Sequence, residues 1–81
     1  MPRRRDSNER APEIAKVIGK LIVSLRQGKL SREQLAERAN CHPNSLGAIE
    51  RGESCPTIET LHHITKALDL SISEFFKLAE H

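Results

Sequence analysis

Five side chains of this 81-residue chain could ligate a metal ion: Cys41, His42, Cys55, His62 and His63. Structural zinc sites usually hold pairs of cysteines with about two to four residues between them. No such pair occurs here, so a metal or redox role for Cys41 and Cys55 is the weaker alternative, and no metal is predicted. Cys41 is expected to act as a small buried hydrophobe at a turn. Of the adjacent His62 and His63, one is expected to be half-buried and one exposed.

Catalytic signatures are missing from the sequence. It contains no nucleophile elbow, no glycine-rich phosphate loop and no paired carboxylates in a catalytic setting. Its aromatic residues are two phenylalanines, without Tyr or Trp. Proteins that bind RNA or single-stranded DNA usually stack bases on aromatic side chains. The sequence therefore predicts neither an enzyme nor a bound cofactor, and it disfavours a single-stranded partner.

Residues 40–52, with the sequence NCHPNSLGAIERG, have the outline of a helix that follows a sharp turn. Asn40 suits the turn because asparagine tolerates the left-handed conformation. Pro43 suits the first helical position, where an N–H is not needed. Leu46 and Ile49 are predicted to face inward, and Gly52 to end the helix. The outward side chains are small and leave the helix backbone open to a close approach.

Four further helices are predicted to position this one. The first follows Pro12, and its wide apolar face comprises Ile14, Val17, Ile18, Leu21, Ile22 and Leu25. Capping boxes open the second helix (Ser31 with Gln34) and the fifth (Ser71 with Glu74). The fourth helix starts near Thr57 and is expected to bury Ile58, Leu61, Ile64 and Leu68. With no strand pattern visible, the sequence predicts an all-α, compact five-helix domain.

The order of these segments resembles one known family. IGKLIVSLR, LSREQLAERA, HPNSLGAIERGESCPTIETL and ITKALDLSISEFF are similar to the five-helix pattern of the Cro/repressor-type (Xre-like) helix-turn-helix family, over roughly residues 14–78. The resemblance implies a repressor-like domain whose second and third helices form the helix-turn-helix. It also implies a dimer that binds double-stranded DNA at pseudo-palindromic operators.

The resemblance assigns roles to individual residues. It implies that the following residues contact DNA: Arg32, His42, Pro43, Asn44, Ser45, Gly47, Ala48 and Arg51. Within this set, Arg32 and Arg51 would contact phosphates, His42 and Ser45 would lie beside the backbone, and the others would face base edges. Asn44 is the strongest predicted reader, with adenine as its expected base. Arg26 and Glu50 match a buried ion pair that joins the first helix to the third.

The excess positive charge lies at the N-terminus. The net charge is +2, and residues 11–81 hold equal numbers of basic and acidic side chains. Residues 1–12 are therefore predicted to be a flexible basic arm, and residues 13–81 the DNA-binding domain. Arg3, Arg4 and Arg5 could follow the minor groove. An arm that is only a solvated terminus is an equally supported interpretation.

The fifth predicted helix has more apolar surface than a small domain can cover. The expected dimer contacts are Ile72, Phe76, Leu78 and Ala79, and the plainer alternative is packing beneath the C-terminus. The leading prediction is a homodimeric, cytoplasmic transcriptional repressor or autoregulator with no membrane segment. The alternatives are an antitoxin or other protein-interaction module, which would have a protein partner, and a restriction–modification controller.

Overall fold

Five helices make up the regular structure of the described part of the chain, which contains no strand. This computed structural model describes the backbone of residues 3–80 and the side chains of residues 13–80. The helices are α1 (Arg3–Arg26), α2 (Arg32–Arg38), α3 (Pro43–Glu50), α4 (Ile58–Ala67) and α5 (Ile72–Ala79). The predicted all-α, five-helix class is confirmed. No helix in the described range is long and apolar enough to span a membrane.

Side-chain caps fix where α2, α4 and α5 begin. The Ser31 hydroxyl accepts from the Gln34 N–H at 3.0 Å, and the Gln34 side chain accepts from the Ser31 N–H at 2.9 Å. Ser71 and Glu74 make the same reciprocal pair at the start of α5, at 3.0 and 2.9 Å. Thr57 caps α4. These bonds satisfy backbone donors that a helix N-terminus otherwise leaves unpaired.

The start of α1 differs from the prediction. The sequence predicts a helix that begins after Pro12, whereas the α1 backbone is helical from Arg3 and runs through Pro12. A proline removes one helical hydrogen bond, but residues 3–11 contain four arginines, which favour helix. The side chains of residues 1–12 lie outside the described set. The contact of Arg3, Arg4 and Arg5 with DNA therefore stays a prediction.

The core is one cluster of buried side chains to which all five helices contribute. Its members are Ile18, Ile22, Leu35, Ala36, Ala39, Leu46, Ile49, Leu61, Ile64, Leu68 and Phe75. Three residues expected in the apolar faces are instead exposed: Ile14, Val17 and Ile58. The apolar face of α1 is wider than the core beneath it, and Ile58 is the first residue of α4, beside exposed loop residues.

Gly19 allows α1 to cross close to the end of α3. A Cβ atom at this position would lie 2.6 Å from the carbonyl oxygen of Glu50 and would also clash with the carbonyl oxygen of Ile49. Backbone atoms cannot move aside as a flexible side chain can, so this crossing requires glycine. The close approach brings Arg26, at the end of α1, toward Glu50.

Candidate nucleic-acid interface

The turn between α2 and α3 sets the angle of the second helix. Asn40 adopts the left-handed conformation, with φ of 59°, as its residue type predicts. The Cys41 N–H then donates to the Ala36 carbonyl at 2.9 Å. Ala36 is fully buried and Cys41 is half-buried against the core. Because Ala36 is fully buried, a larger residue there would have to displace the side chains packed around it.

The start of α3 leaves its polar residues in solvent. The Nδ1 atom of His42 accepts from the Asn44 N–H at 3.0 Å and caps the helix, and Pro43 follows at the first helical position. Because Nδ1 accepts, the neutral imidazole carries its hydrogen on Nε2, which remains available as a donor. His42, Asn44 and Ser45 are exposed, while Pro43 and Ala48 are half-buried. This end of α3 could thus enter a groove without moving core residues.

The opposite side of α3 holds it to the domain. Leu46 and Ile49 are buried in the core, as predicted. At the last turn, the Glu50 carboxylate accepts from Arg26 Nε at 2.6 Å and from Arg26 Nη2 at 3.0 Å. Such a two-point contact restrains both distance and plane. The structure therefore contains the Arg26–Glu50 pair that the resemblance implies.

A third charge joins this pair. Arg32 Nε donates to Glu50 Oε1 at 3.0 Å. The side chain of Glu50 is 2% exposed, that of Arg26 15% and that of Arg32 41%. One buried carboxylate thus links α1, α2 and α3 while leaving part of Arg32 in solvent. The sequence did not predict this interaction, since nothing in the spacing of residues 32 and 50 indicates it.

Burial and ion pairing act in opposite directions on Glu50. Burial raises the pKa of its carboxyl group, but hydrogen bonds and positive charge from Arg26 and Arg32 outweigh burial and hold that pKa below its ordinary value. The hydrogen bond to Glu50 likewise raises the pKa of Arg26 against the opposing effect of burial. The cluster is therefore ionised at neutral pH.

Gly47, which is expected to face base edges, lies beneath two arginine side chains. Gly47 is buried, and the side chains of Arg32 and Arg51 cover it. A Cβ atom there would lie 3.5 Å from Arg32 Nη1 and 3.1 Å from Arg51 Nη1. Long side chains from outside the middle of α3 fill the space that glycine leaves. A contact from Gly47 to a base would first require these guanidinium groups to move.

Arg51 follows α3 and has its own carboxylate partner. Its Nε donates to Glu53 Oε2 at 3.1 Å and its Nη2 to Glu53 Oε1 at 3.2 Å. Both side chains are more than half exposed, and the bond to Glu53 raises the pKa of Arg51. The Arg51 phosphate contact remains a prediction, and it would have to compete with Glu53.

The expected dimer contacts differ in exposure. Leu78 is 46% exposed, whereas Ile72, Phe76 and Ala79 are half-buried. The ring of Phe76 packs edge-on against that of Phe75, with centroids 5.7 Å apart. Leu78 and Ala79 line a groove of about 420 Å³ together with Val17, Lys20, Leu21 and Ser24 of α1. The contribution of α1 to this surface was not predicted from the sequence.

The cysteines and adjacent histidines do not form a cluster. Among the described residues, no three His, Cys, Asp or Glu side chains are placed to share a metal ion. Burial raises the pKa of Cys41, and Cys55 is exposed. His62 and His63 are both exposed, so the expectation that one is half-buried is wrong. They lie on α4 outside its buried stripe, which comprises Leu61, Ile64 and Thr65.

Comparison with known proteins agrees with this architecture. A helix-turn-helix family model matches residues 22–75. The control protein C.SmaI of Serratia marcescens is 36% identical over 61 residues, which cover 74% of this chain and 73% of that protein. The transcriptional regulator PuuR of Escherichia coli is 35% identical over 63 residues, and this chain spans 34% of its length.

A solved structure extends the similarity to three dimensions. The clp gene regulator ClgR of Corynebacterium glutamicum superposes with a TM-score of 0.78 and 26% identity, covering 83% of this chain and 72% of that one. The chain belongs to the helix-turn-helix family. It is a DNA-binding regulator of transcription of the Xre-like type, and the family implies double-stranded DNA as its partner.

Proposed function

We propose that this protein binds a pseudo-palindromic operator as a homodimer and represses transcription, including that of its own gene. The observation that carries the proposal is the outward, unobstructed N-terminal face of α3, where His42, Asn44 and Ser45 are exposed. Helix-turn-helix proteins place this end of the second helix in the major groove. Its position relative to the domain is fixed from both sides, by the core and by Glu50.

A second copy of the chain is the partner that best fits the α1/α5 groove. Ile14, Val17 and Leu78 are 50%, 42% and 46% exposed. Leu78 and Val17 line the same groove, so their apolar surface is continuous. Joining two copies across it would remove this surface from water. A two-fold dimer would also present two α3 helices, as a pseudo-palindromic operator requires.

The proposed role is non-enzymatic and cytoplasmic, since the family consists of DNA-binding regulators. A restriction–modification controller is the second candidate, because the control protein C.SmaI is 36% identical to this chain. Restriction and methylation genes beside the coding gene would favour it. A toxin-like reading frame there would instead favour an antitoxin with a protein partner. All three roles use the same DNA-binding face.

The test combines DNA binding with oligomeric state. Fluorescence anisotropy with DNA from upstream of the coding gene, against a scrambled duplex, is expected to show a specific complex at about 0.15 M salt. Sedimentation is expected to show a dimer that Leu78→Glu dissociates. Ile58→Glu is the matched control, since Ile58 is also exposed but lies on α4. A monomeric wild type, or equal binding to both duplexes, would contradict the proposal.

A further inference from the structure

Guanidinium groups cover the middle of α3, where a glycine would otherwise expose bare backbone. A Cβ atom on Gly47 would lie 3.5 Å from Arg32 Nη1 and 3.7 Å from Arg32 Cδ, which are ordinary van der Waals distances. Arg32 therefore lies flat on α3 from its Cδ atom to its guanidinium. Although Arg32 belongs to α2, its nitrogen atoms are part of the surface that α3 would present to DNA.

Arg32 and Arg51 are held in different ways. Arg32 is anchored through Nε alone, 3.0 Å from a carboxylate that is 2% exposed. Within the described residues, neither Nη group of Arg32 donates a hydrogen bond. Arg51 instead uses both Nε and Nη2 on Glu53, which is 60% exposed. Of the two, Arg32 is both firmly oriented and free to donate two parallel hydrogen bonds.

That combination fits the edge of a guanine. The O6 and N7 atoms of guanine accept two hydrogen bonds from one guanidinium, the commonest specific contact in the major groove. An anchored, planar fork loses less conformational freedom on binding than a free side chain does. We propose that Arg32 reads a guanine in each operator half-site and that Glu50 is its positioning residue. This inference rests on the proposed function, because it requires α3 to lie in the major groove.

The alternative for Arg32 is a phosphate contact, which carries no sequence information. The two roles respond differently when the guanidinium is removed, because loss of a base contact relaxes the preference at one position, whereas loss of a phosphate contact weakens binding to every sequence alike. Arg32→Gln removes the guanidinium but keeps a polar side chain, and therefore separates the two roles. Arg51→Gln is the matched control, because it alters a second arginine over the same glycine. Both variants leave the Arg26–Glu50 pair intact, and thermal melts check that they fold.

The experiment measures the affinity of wild type, Arg32→Gln and Arg51→Gln for the operator and for duplexes in which each half-site base pair is replaced symmetrically. Replacing one G·C pair is expected to weaken wild-type binding by about fivefold to about 150-fold per contact. Arg32→Gln should abolish the penalty at that one base pair and keep the others, and Arg51→Gln should retain it. If every penalty survives Arg32→Gln, including when binding is uniformly weaker, this inference is overturned. A wild type with no sequence preference would overturn the proposed function as well.

Discussion

Replacing Glu50 with alanine should destabilise the fold more than any other single loss of a charge in the described domain. The change removes the only carboxylate in that range that accepts hydrogen bonds from both Arg26 and Arg32. It leaves Arg26 with a side chain 15% exposed and one remaining bond, from Nη1 to the Leu30 carbonyl at 3.4 Å. Breaking a buried ion pair in this way costs about 3–5 kcal/mol.

The lower part of that range applies here, because Arg26 keeps one bond and Arg32 is 41% exposed. A loss of about 3 kcal/mol corresponds to a fall in Tm of about 12–24 °C for a domain of this size. Thermal unfolding followed by circular dichroism measures it. Glu53→Ala is the matched control, since it breaks a carboxylate–arginine pair that is exposed. Exposed pairs contribute little, so its Tm should stay near that of wild type.

Equal Tm values for Glu50→Ala and Glu53→Ala would refute this reasoning. If Glu50→Ala melts within about 3 °C of wild type, the buried cluster does not hold α1 and α3 together. If Glu50→Ala instead retains its Tm but loses DNA affinity, the role of Glu50 is confined to positioning Arg32. Measuring DNA affinity below both melting transitions distinguishes these outcomes.

The charge cluster, two glycines and the N-terminal segment each give a further prediction. The ionised Glu50 stabilises the fold fully above its ordinary pKa of about 4.3. This stabilisation is lost as the pH falls through the lower pKa of the folded state. The free energy of unfolding, measured with denaturant across this range, should therefore depend less on pH in Glu50→Gln than in wild type. Gly19→Ala should destabilise by about 1–3 kcal/mol or more, because the new Cβ meets backbone atoms; an unchanged urea midpoint would contradict that crossing. Gly47→Ala should raise stability by about 0.5–1 kcal/mol, because only the flexible end of Arg51 must shift; a lower Tm would show that the arginines cannot adjust. Deleting residues 2–10 should weaken DNA binding and reduce the dependence of log affinity on log salt by about 0.9 for each phosphate that the arm neutralises; an unchanged slope would identify a solvated terminus.

Local chemistry made much of the fold predictable. The two capping boxes and the left-handed Asn40 each depend on residues within a few positions of one another. Such signals act before tertiary contacts form, so residue type and spacing suffice to locate them. The buried stripe of α4 at Leu61 and Ile64 follows from helical periodicity in the same way.

Most features that the sequence did not predict involve residues that are far apart in the sequence but close together in the fold. Arg32 meets Glu50 across 18 positions, and the cover over Gly47 comes from two different segments. Periodicity placed Val17 on the apolar face of α1. It could not show that Val17 lines a groove with Leu78 instead of packing in the core. In these three cases residues from another segment, and not the local sequence, determine the arrangement. Pro12 is a different case, because it indicated a helix boundary whereas the α1 backbone is helical on both sides of it.

Selection of preferred sites from random duplex DNA tests the central claim most directly, namely that two copies of α3 read DNA together. We predict an enriched sequence with two-fold symmetry and half-sites spaced by about 10 base pairs or a multiple of that. Asn44→Ala should relax the preference at one position in each half-site. Recovery of no enriched sequence, or of an unsymmetrical one that Asn44→Ala leaves unchanged, would contradict the claim.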